Sequence, residues 1–368
     1  MLFNKNLKFI LSALILFVNF IYAQTENNFP ENFKIRTGVN ISHWLSQSAK
    51  RGETRKEFIT KADFDSIASA GFDHVRIPVD EVQLWDSTGS RHQDAFDLIQ
   101  DAIKWACEDN LRVIVDLHII RSFYFNKSSN PLWKNEADQK KLVDMWMQLS
   151  EELHQYPDSM VAYEILNEPT AKDPGDWNKV FNKVLKAIRI KEPDRVIVIG
   201  SNMWQIPQTF PYLRLPADDK NIILSFHFYT PMALTHHTAP WTAIGEYKGP
   251  VNYPGWILDT TYYKELSPAA VKAMRESANG YFTKDTLEKI MEPAIKVAKE
   301  KNLHLYCGEF GIYPHIPQRL ALQWYRDVCS IFNENKIAYC HWGYKGDFPV
   351  VNKDGSLNRK LVSVLTAK

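Results

Sequence analysis

The sequence predicts an α/β protein folded as a single (β/α)8 TIM barrel, with one long loop inserted after the sixth strand. Three observations carry that expectation. Eight short apolar segments alternate with amphipathic stretches from residue 35 onward. Several of these segments end abruptly in polar groups; the clearest is Val161-Ala162-Tyr163-Glu164-Ile165-Leu166-Asn167-Glu168-Pro169, where proline stops the run. No Gly-rich nucleotide loop follows the first segment, which counts against the alternative, a doubly wound sheet.

The first 23 residues read as a targeting segment. Lys5 and Lys8 precede an apolar run over 9–21, and Ala23 places a small residue before Gln24. This is the layout of a signal peptide over 1–23. The rest, 24–368, is then one barrel domain exported to the periplasm or beyond the cell. A retained anchor is the alternative, but the run is short for a membrane span, so no span is expected after cleavage. No cysteine follows the run to carry a lipid.

The 368-residue chain carries 44 Lys and Arg against 43 Asp and Glu, for a net charge of +1. Loss of Lys5 and Lys8 turns the balance slightly acidic. No nucleic acid or other anionic partner is expected from that balance. Cys107, Cys307, Cys329 and Cys340 match no zinc spacing and read as free thiols, two of them inside strands.

The expected strands are 35–40, 74–78, 112–118, 161–167, 195–201, 222–229, 303–309 and 337–342. The clearest amphipathic helices are 95–109, 137–154, 177–190, 285–300 and 317–335. A further helix over 61–70 ends at Gly71, a usual C-cap signal. The connection 231–281 is far longer than the others and holds Trp241, Tyr247, Tyr253, Trp256, Tyr262 and Tyr263. Its aromatic content argues against disorder, and its position after the sixth strand puts it on the face where barrels build sites. Trp241 and Trp256 are therefore candidate distal subsites. A smaller excursion over 119–135 brings Tyr124, Phe125 and Trp133.

Six strand ends carry groups suited to a sugar site: Arg76, His118, Asn167 with Glu168, His227 with Tyr229, Glu309, and Trp342. Period-two alternation puts His227 and Tyr229 on one face. Each has a structural reading as a satisfied core group; jointly they point to one rim of one barrel. Two carboxylates at two strand ends are the minimal equipment for splitting a glycosidic bond. Glu164, inside the fourth strand, is the rival to Glu168. A carboxylate there must be paired, with an arginine or histidine of the barrel floor.

Arg76-Ile77-Pro78, Asp116-Leu117-His118, Asn167-Glu168-Pro169, His227-Phe228-Tyr229, Gly308-Glu309-Phe310-Gly311 and Trp342 together resemble glycoside hydrolase family 5, the family of many cellulases and mannanases. The resemblance implies a retaining β-glycosidase with an eight-stranded barrel, and the expected partner is a β-linked polysaccharide or oligosaccharide. No cofactor or metal is expected, because side chains supply every charge the mechanism needs and Arg76 does the work of a cation. The resemblance implies Glu168 as acid/base and Glu309 as nucleophile, with Arg76 and Tyr229 holding Glu309. It further implies that His118, Asn167 and His227 bind the sugar and that Trp342 forms its floor. Many members carry a second histidine after the third-strand histidine, where this chain has Ile119. The expected substrate is a β-1,4-glucan cut internally, with mannan or another β-linked hemicellulose as runner-up. Two other classes compete: a metal-dependent barrel hydrolase using His118, His227, Glu309 and the His236-His237 pair, and a carbohydrate binder without catalysis. Loss of activity with a chelator would favour the former, and binding without hydrolysis the latter.

Overall fold

Eight parallel strands close into a barrel in chain order, the last pairing with the first. They are β1 Thr37–Asn40, β2 His74–Asp80, β3 Arg112–Ile119, β4 Val161–Glu164, β5 Ile197–Gly200, β6 Ile222–Phe228, β7 His304–Phe310 and β8 Ala338–His341. The computed structural model describes residue 30 and residues 32–367, so the expected signal peptide lies outside the described residues. Both faces of these strands are covered, which is why they read as near-continuous apolar runs such as Val113-Ile114-Val115 and Ile197-Val198-Ile199.

Alternation along the strands sorts side chains into two cores. Outward residues pack with the surrounding helices into the main core. Inward residues Ile114, Ala162, Val198, Ile223, Tyr306 and Cys340 form a separate apolar floor inside the barrel. Above that floor the inward positions turn polar: Asn40, Arg76, Asp116, Glu164 and Ser225 are all fully buried. Register places them together, with Asn40 opposite Arg76 and Asp116 opposite Glu164. Gly38 lacks a Cβ for a local reason, since one would fall 2.5 Å from the ring of His74.

The five principal helices are Gln93–Glu108, Glu136–Leu153, Pro174–Lys191, Lys284–Lys301 and Gln318–Glu334. Each lies within three residues of its expected boundaries. The helix Lys61–Ser69 starts in a capping box made by Thr60 and Asp63, and Gly71 follows it at a φ of 93°. All four cysteines are free. Among the described residues, no helix is long and apolar enough to cross a membrane.

Two segments depart from expectation. The fourth strand leaves the ladder at Glu164 rather than at residue 167. The chain must turn out of the barrel before Pro169, and Glu168 makes that turn at a φ of 46°. The connection 231–281 lends only part of its length to the barrel's open face, and Trp256 is not in that part. Its Tyr247 and Tyr253 join the core, and the Tyr253 hydroxyl donates to Asp327 Oδ2 at 2.7 Å. Its Gly255–Trp256 and Tyr281–Phe282 form a two-stranded antiparallel ribbon.

Candidate active site

Arg76 organises the polar layer. Its Nε donates to Glu164 Oε2 at 2.6 Å. Its Nη1 donates to Asn40 Oδ1 at 3.0 Å and to Glu309 Oε1 at 2.8 Å. Its Nη2 donates to Asn167 Oδ1 at 2.9 Å and lies 3.0 Å from Asp116 Oδ2. All five N–H groups of the fork therefore have partners. The reading of Glu164 as a buried carboxylate paired within the barrel agrees with this geometry. Breaking such a buried pair typically costs ~3–5 kcal/mol, because the remaining charge is left uncompensated.

Glu309 closes β7. Besides Arg76 it accepts a hydrogen bond from the Tyr229 hydroxyl at 2.9 Å on its other oxygen. Glu168 faces it across the cleft: a carboxylate oxygen of each, together with a ring nitrogen of His227, all lie within 4.8 Å of one another. His227 Nδ1 stands 2.9 Å from Glu168 Oε1 and 3.6 Å from Glu309 Oε2. Its Nε2 is buried without a hydrogen-bond partner among the described residues. Gly308 permits this approach, since a Cβ there would meet Ser225 Oγ at 2.9 Å and His227 Nε2 at 3.1 Å.

The electrostatics separate the two glutamates. Burial raises the proton affinity of both. At Glu309 that effect is opposed by the Arg76 guanidinium and the Tyr229 hydroxyl. Glu168 is held well above the ordinary carboxylate range by burial and then by the charge of Glu309. Glu309 thus ionises first and Glu168 keeps its proton. Burial pushes Asp116 up to about 7 against the pull of Arg76. Burial also lowers His118 to about 4 and His227 well below its usual value, so both are neutral near pH 7.

His118 is tied at both ring nitrogens, to Asp116 Oδ2 at 2.7 Å and to Gln47 Nε2 at 2.8 Å. It offers the cleft a ring rather than a free nitrogen. That ring stacks on Trp342 with centroids 5.6 Å apart and planes 8° from parallel. Glu168, Glu309, His118, Asn167, His227, Tyr229 and Trp342 all border one cleft of about 670 Å³, and Arg76 lies buried beneath. The connection 231–281 contributes Met232, His236 and Trp241 to its wall, and the excursion 119–135 contributes Tyr124 and Phe125.

Trp256 requires a correction. It does not border the cleft; it sits 64% exposed on the ribbon, edge-on to Tyr281 at 6.1 Å. The ribbon's hydrogen bonds carry it away, which a composition argument over 231–281 could not register. Sequence reasoning also gave no role to four participants: Asn40, Gln47, Gln205, and Asp116, which it quoted only as part of a motif. Asn40 and Asp116 carried a usable signal, being polar residues at or near the ends of apolar strands. Gln47 and Gln205 carried none, as each lies in an irregular turn at positive φ.

Comparison with known proteins agrees with this architecture. Residues 32–347 match the family model of cellulase, glycosyl hydrolase family 5. Endoglucanase C of Acetivibrio thermocellus is 32% identical over 340 residues, covering 90% of this chain and 98% of that protein. Cellodextrinase A of Ruminococcus flavefaciens is 27% identical over 304 residues, covering 82% and 83% of the two chains. A crystal structure of a hyperthermophilic endo-beta-1,4-glucanase in complex with substrate superposes with a TM-score of 0.75 at 23% identity, covering 93% of this chain and 99% of that one. This chain therefore belongs to glycosyl hydrolase family 5 and is a glycoside hydrolase.

Proposed function

We propose that this protein is an exported, retaining endo-β-1,4-glucanase in which Glu309 is the nucleophile and Glu168 the acid/base. The observation that carries the reading is two unequal carboxyls that face each other with one oxygen of each inside 4.8 Å, one held by Arg76 and Tyr229 and the other kept protonated by burial and its neighbour's charge. A spacing this short suits direct attack; inverting sites leave roughly 6.5–9.5 Å for a water.

In the first step a Glu309 oxygen attacks the anomeric carbon. The bond from that carbon to the leaving oxygen breaks, and Glu168 delivers its proton to that oxygen. The product is a glycosyl ester on Glu309. Its formation consumes the negative charge that raised the proton affinity of Glu168, so Glu168 can accept a proton from water. The water oxygen then bonds to the anomeric carbon, the ester breaks, and Glu309 leaves as carboxylate. Two inversions give net retention.

Two relatives that match most of this chain are named as an endoglucanase and a cellodextrinase, which supports a β-glucan substrate. Export is inferred from residues 1–23. The test is incubation of residues 24–368 with a panel of β-1,4-glucans, mixed-linkage glucans and mannans, followed by sizing of the products. A mixture of intermediate cello-oligosaccharides with the β anomer formed first is expected. Release of monosaccharide alone would overturn endo action. Faster cleavage of mannan would move the assignment within the family.

The open cleft also predicts a substrate-length effect. Trp241 is half exposed on the cleft wall, beside Tyr313 at 5.1 Å and Phe348 at 6.2 Å. Trp241→Ala should lower kcat/KM on long glucan roughly tenfold, or about 1.4 kcal/mol, and leave a short aryl cellobioside nearly unaffected. Trp256→Ala should leave both rates unchanged. Equal losses for the two tryptophans would contradict this placement.

A further inference from the structure

We propose that Gln205 is a positioning residue that sets the acid/base Glu168 against the nucleophile, delivered by an unusual turn after β5. The inference rests on the reading of Glu168 given above.

Three consecutive residues, Met203, Trp204 and Gln205, adopt φ values of 52°, 60° and 56°. None is glycine, asparagine or aspartate. Left-handed backbone costs an ordinary L-residue roughly 1–2 kcal/mol, and such strain persists only where surrounding contacts dictate it. Here the contacts run to the segment that carries Glu168. The Asn202 side chain exchanges two hydrogen bonds with the backbone of Ala171, at 2.9 and 2.7 Å. Trp204 N donates to Pro169 O at 3.2 Å.

The product of the turn is the placement of one amide. Gln205 is fully buried and folds back over Gly200, where a Cβ would fall 2.4 Å from its side-chain carbon. Its Oε1 accepts from the backbone N–H of Glu168 at 2.8 Å. Its Nε2 donates to Ser225 Oγ at 3.0 Å and to Glu164 Oε1 at 3.3 Å. Glu164 is held in turn by Arg76, which holds Glu309. A continuous line of hydrogen bonds thus joins Glu309 to the main chain of Glu168 through Arg76, Glu164 and Gln205. Glu168 is itself left-handed at its turn, so its backbone has no ladder to fix it. The Gln205 amide supplies that fixed point. It is buried and does not border the cleft.

The experiment compares Gln205→Met, which keeps length without hydrogen bonds, and Gln205→Glu. Each is assayed on cellotetraose, whose leaving oxygen needs a proton, and on 2,4-dinitrophenyl β-cellobioside, whose phenolate does not. Gln205→Met should lower kcat on cellotetraose roughly 100-fold, the scale of a misplaced catalytic group. KM should stay within about twofold, and kcat/KM on the dinitrophenyl substrate within about threefold. Gln205→Glu should recover cellotetraose activity at acidic pH. There its protonated carboxyl can still accept from Glu168 N–H and donate to Glu164. Activity should fall as rising pH ionises it against Glu164, giving an alkaline limb lower than that of the unaltered enzyme.

Equal losses on both substrates with Gln205→Met, or none on either, would overturn the proposal, as would an unchanged pH profile in Gln205→Glu. If Gln205→Met fails to fold, the Gln205→Glu profile decides alone. Glu168→Ala on the same substrate pair separates the two levels of inference. If it fails to discriminate between them, the acid/base reading falls and takes this proposal with it. If it discriminates and the Gln205 variants do not, only the positioning role falls.

Discussion

Glu309→Ala should lower kcat/KM by on the order of 10⁵-fold on every substrate, activated or not. Among the described residues, only Glu309 combines a strand-end position, a guanidinium donor at 2.8 Å and a phenol donor at 2.9 Å. Those donors favour its ionised form and aim its carboxylate into the cleft. No neighbour can replace it: Glu164 is occupied by Arg76 and Gln205 beneath the cleft, and Glu168 holds a proton. A good leaving group does not help, because the missing partner is the attacking one. Azide should enter the space left by the side chain and restore measurable turnover of an aryl cellobioside, giving an α-glycosyl azide. A β-glycosyl azide from this variant would reverse the assignments. Full activity would remove the two-carboxylate mechanism altogether.

Glu168→Ala should show the opposite signature. On cellotetraose the loss should be on the order of 10²–10⁴-fold, the usual value of general acid catalysis. On a dinitrophenyl cellobioside the first step should survive, and the glycosyl ester should accumulate because no base activates water. A burst of phenolate followed by a slow steady rate is the expected trace. Azide, which needs no base, should speed the second phase and give the β-glycosyl azide. The pH dependence carries a sign that follows from the charges. Glu168 is pushed upward by burial and by Glu309, so its proton is retained above the range of an ordinary glutamate. Activity on unactivated substrate should therefore fall on the alkaline side as Glu168 ionises, and on the acid side as Glu309 is protonated. In the residual activity of Glu168→Gln on cellotetraose the alkaline limb should be gone while the acid limb stays in place. Persistence of both limbs would assign the alkaline one to another group, with Asp116, pushed up to about 7, the first to examine.

The legible part of this protein is the part where a residue's own neighbours in sequence decide its fate. An apolar run that ends in Asn167-Glu168-Pro169 must surface at a strand end, wherever the strand lies in the barrel. The same holds for His118, His227, Glu309 and Trp342. Each closes a β-rich run and therefore comes to the same rim once eight such runs alternate with helices. The helices are legible for the related reason that their apolar period is local.

What only the tertiary structure decided is which of these groups meet, and through what. Arg76 has five N–H groups and reads as a lone strand-end cation; register across β1, β3, β4 and β7 chooses Asn40, Asp116, Asn167, Glu164 and Glu309 as its partners. Proton affinity follows from that choice and from burial, both properties of the assembled barrel. Trp241 and Trp256 are equivalent as letters in one aromatic-rich connection. The ribbon over Trp256 and Tyr281 separates them. Gln205 is the extreme case, since no propensity favours Met-Trp-Gln in a left-handed turn. That turn exists because the contacts it makes with Pro169, Ala171 and Glu168 outweigh its local strain, and those contacts form only when β4 and β5 stand side by side.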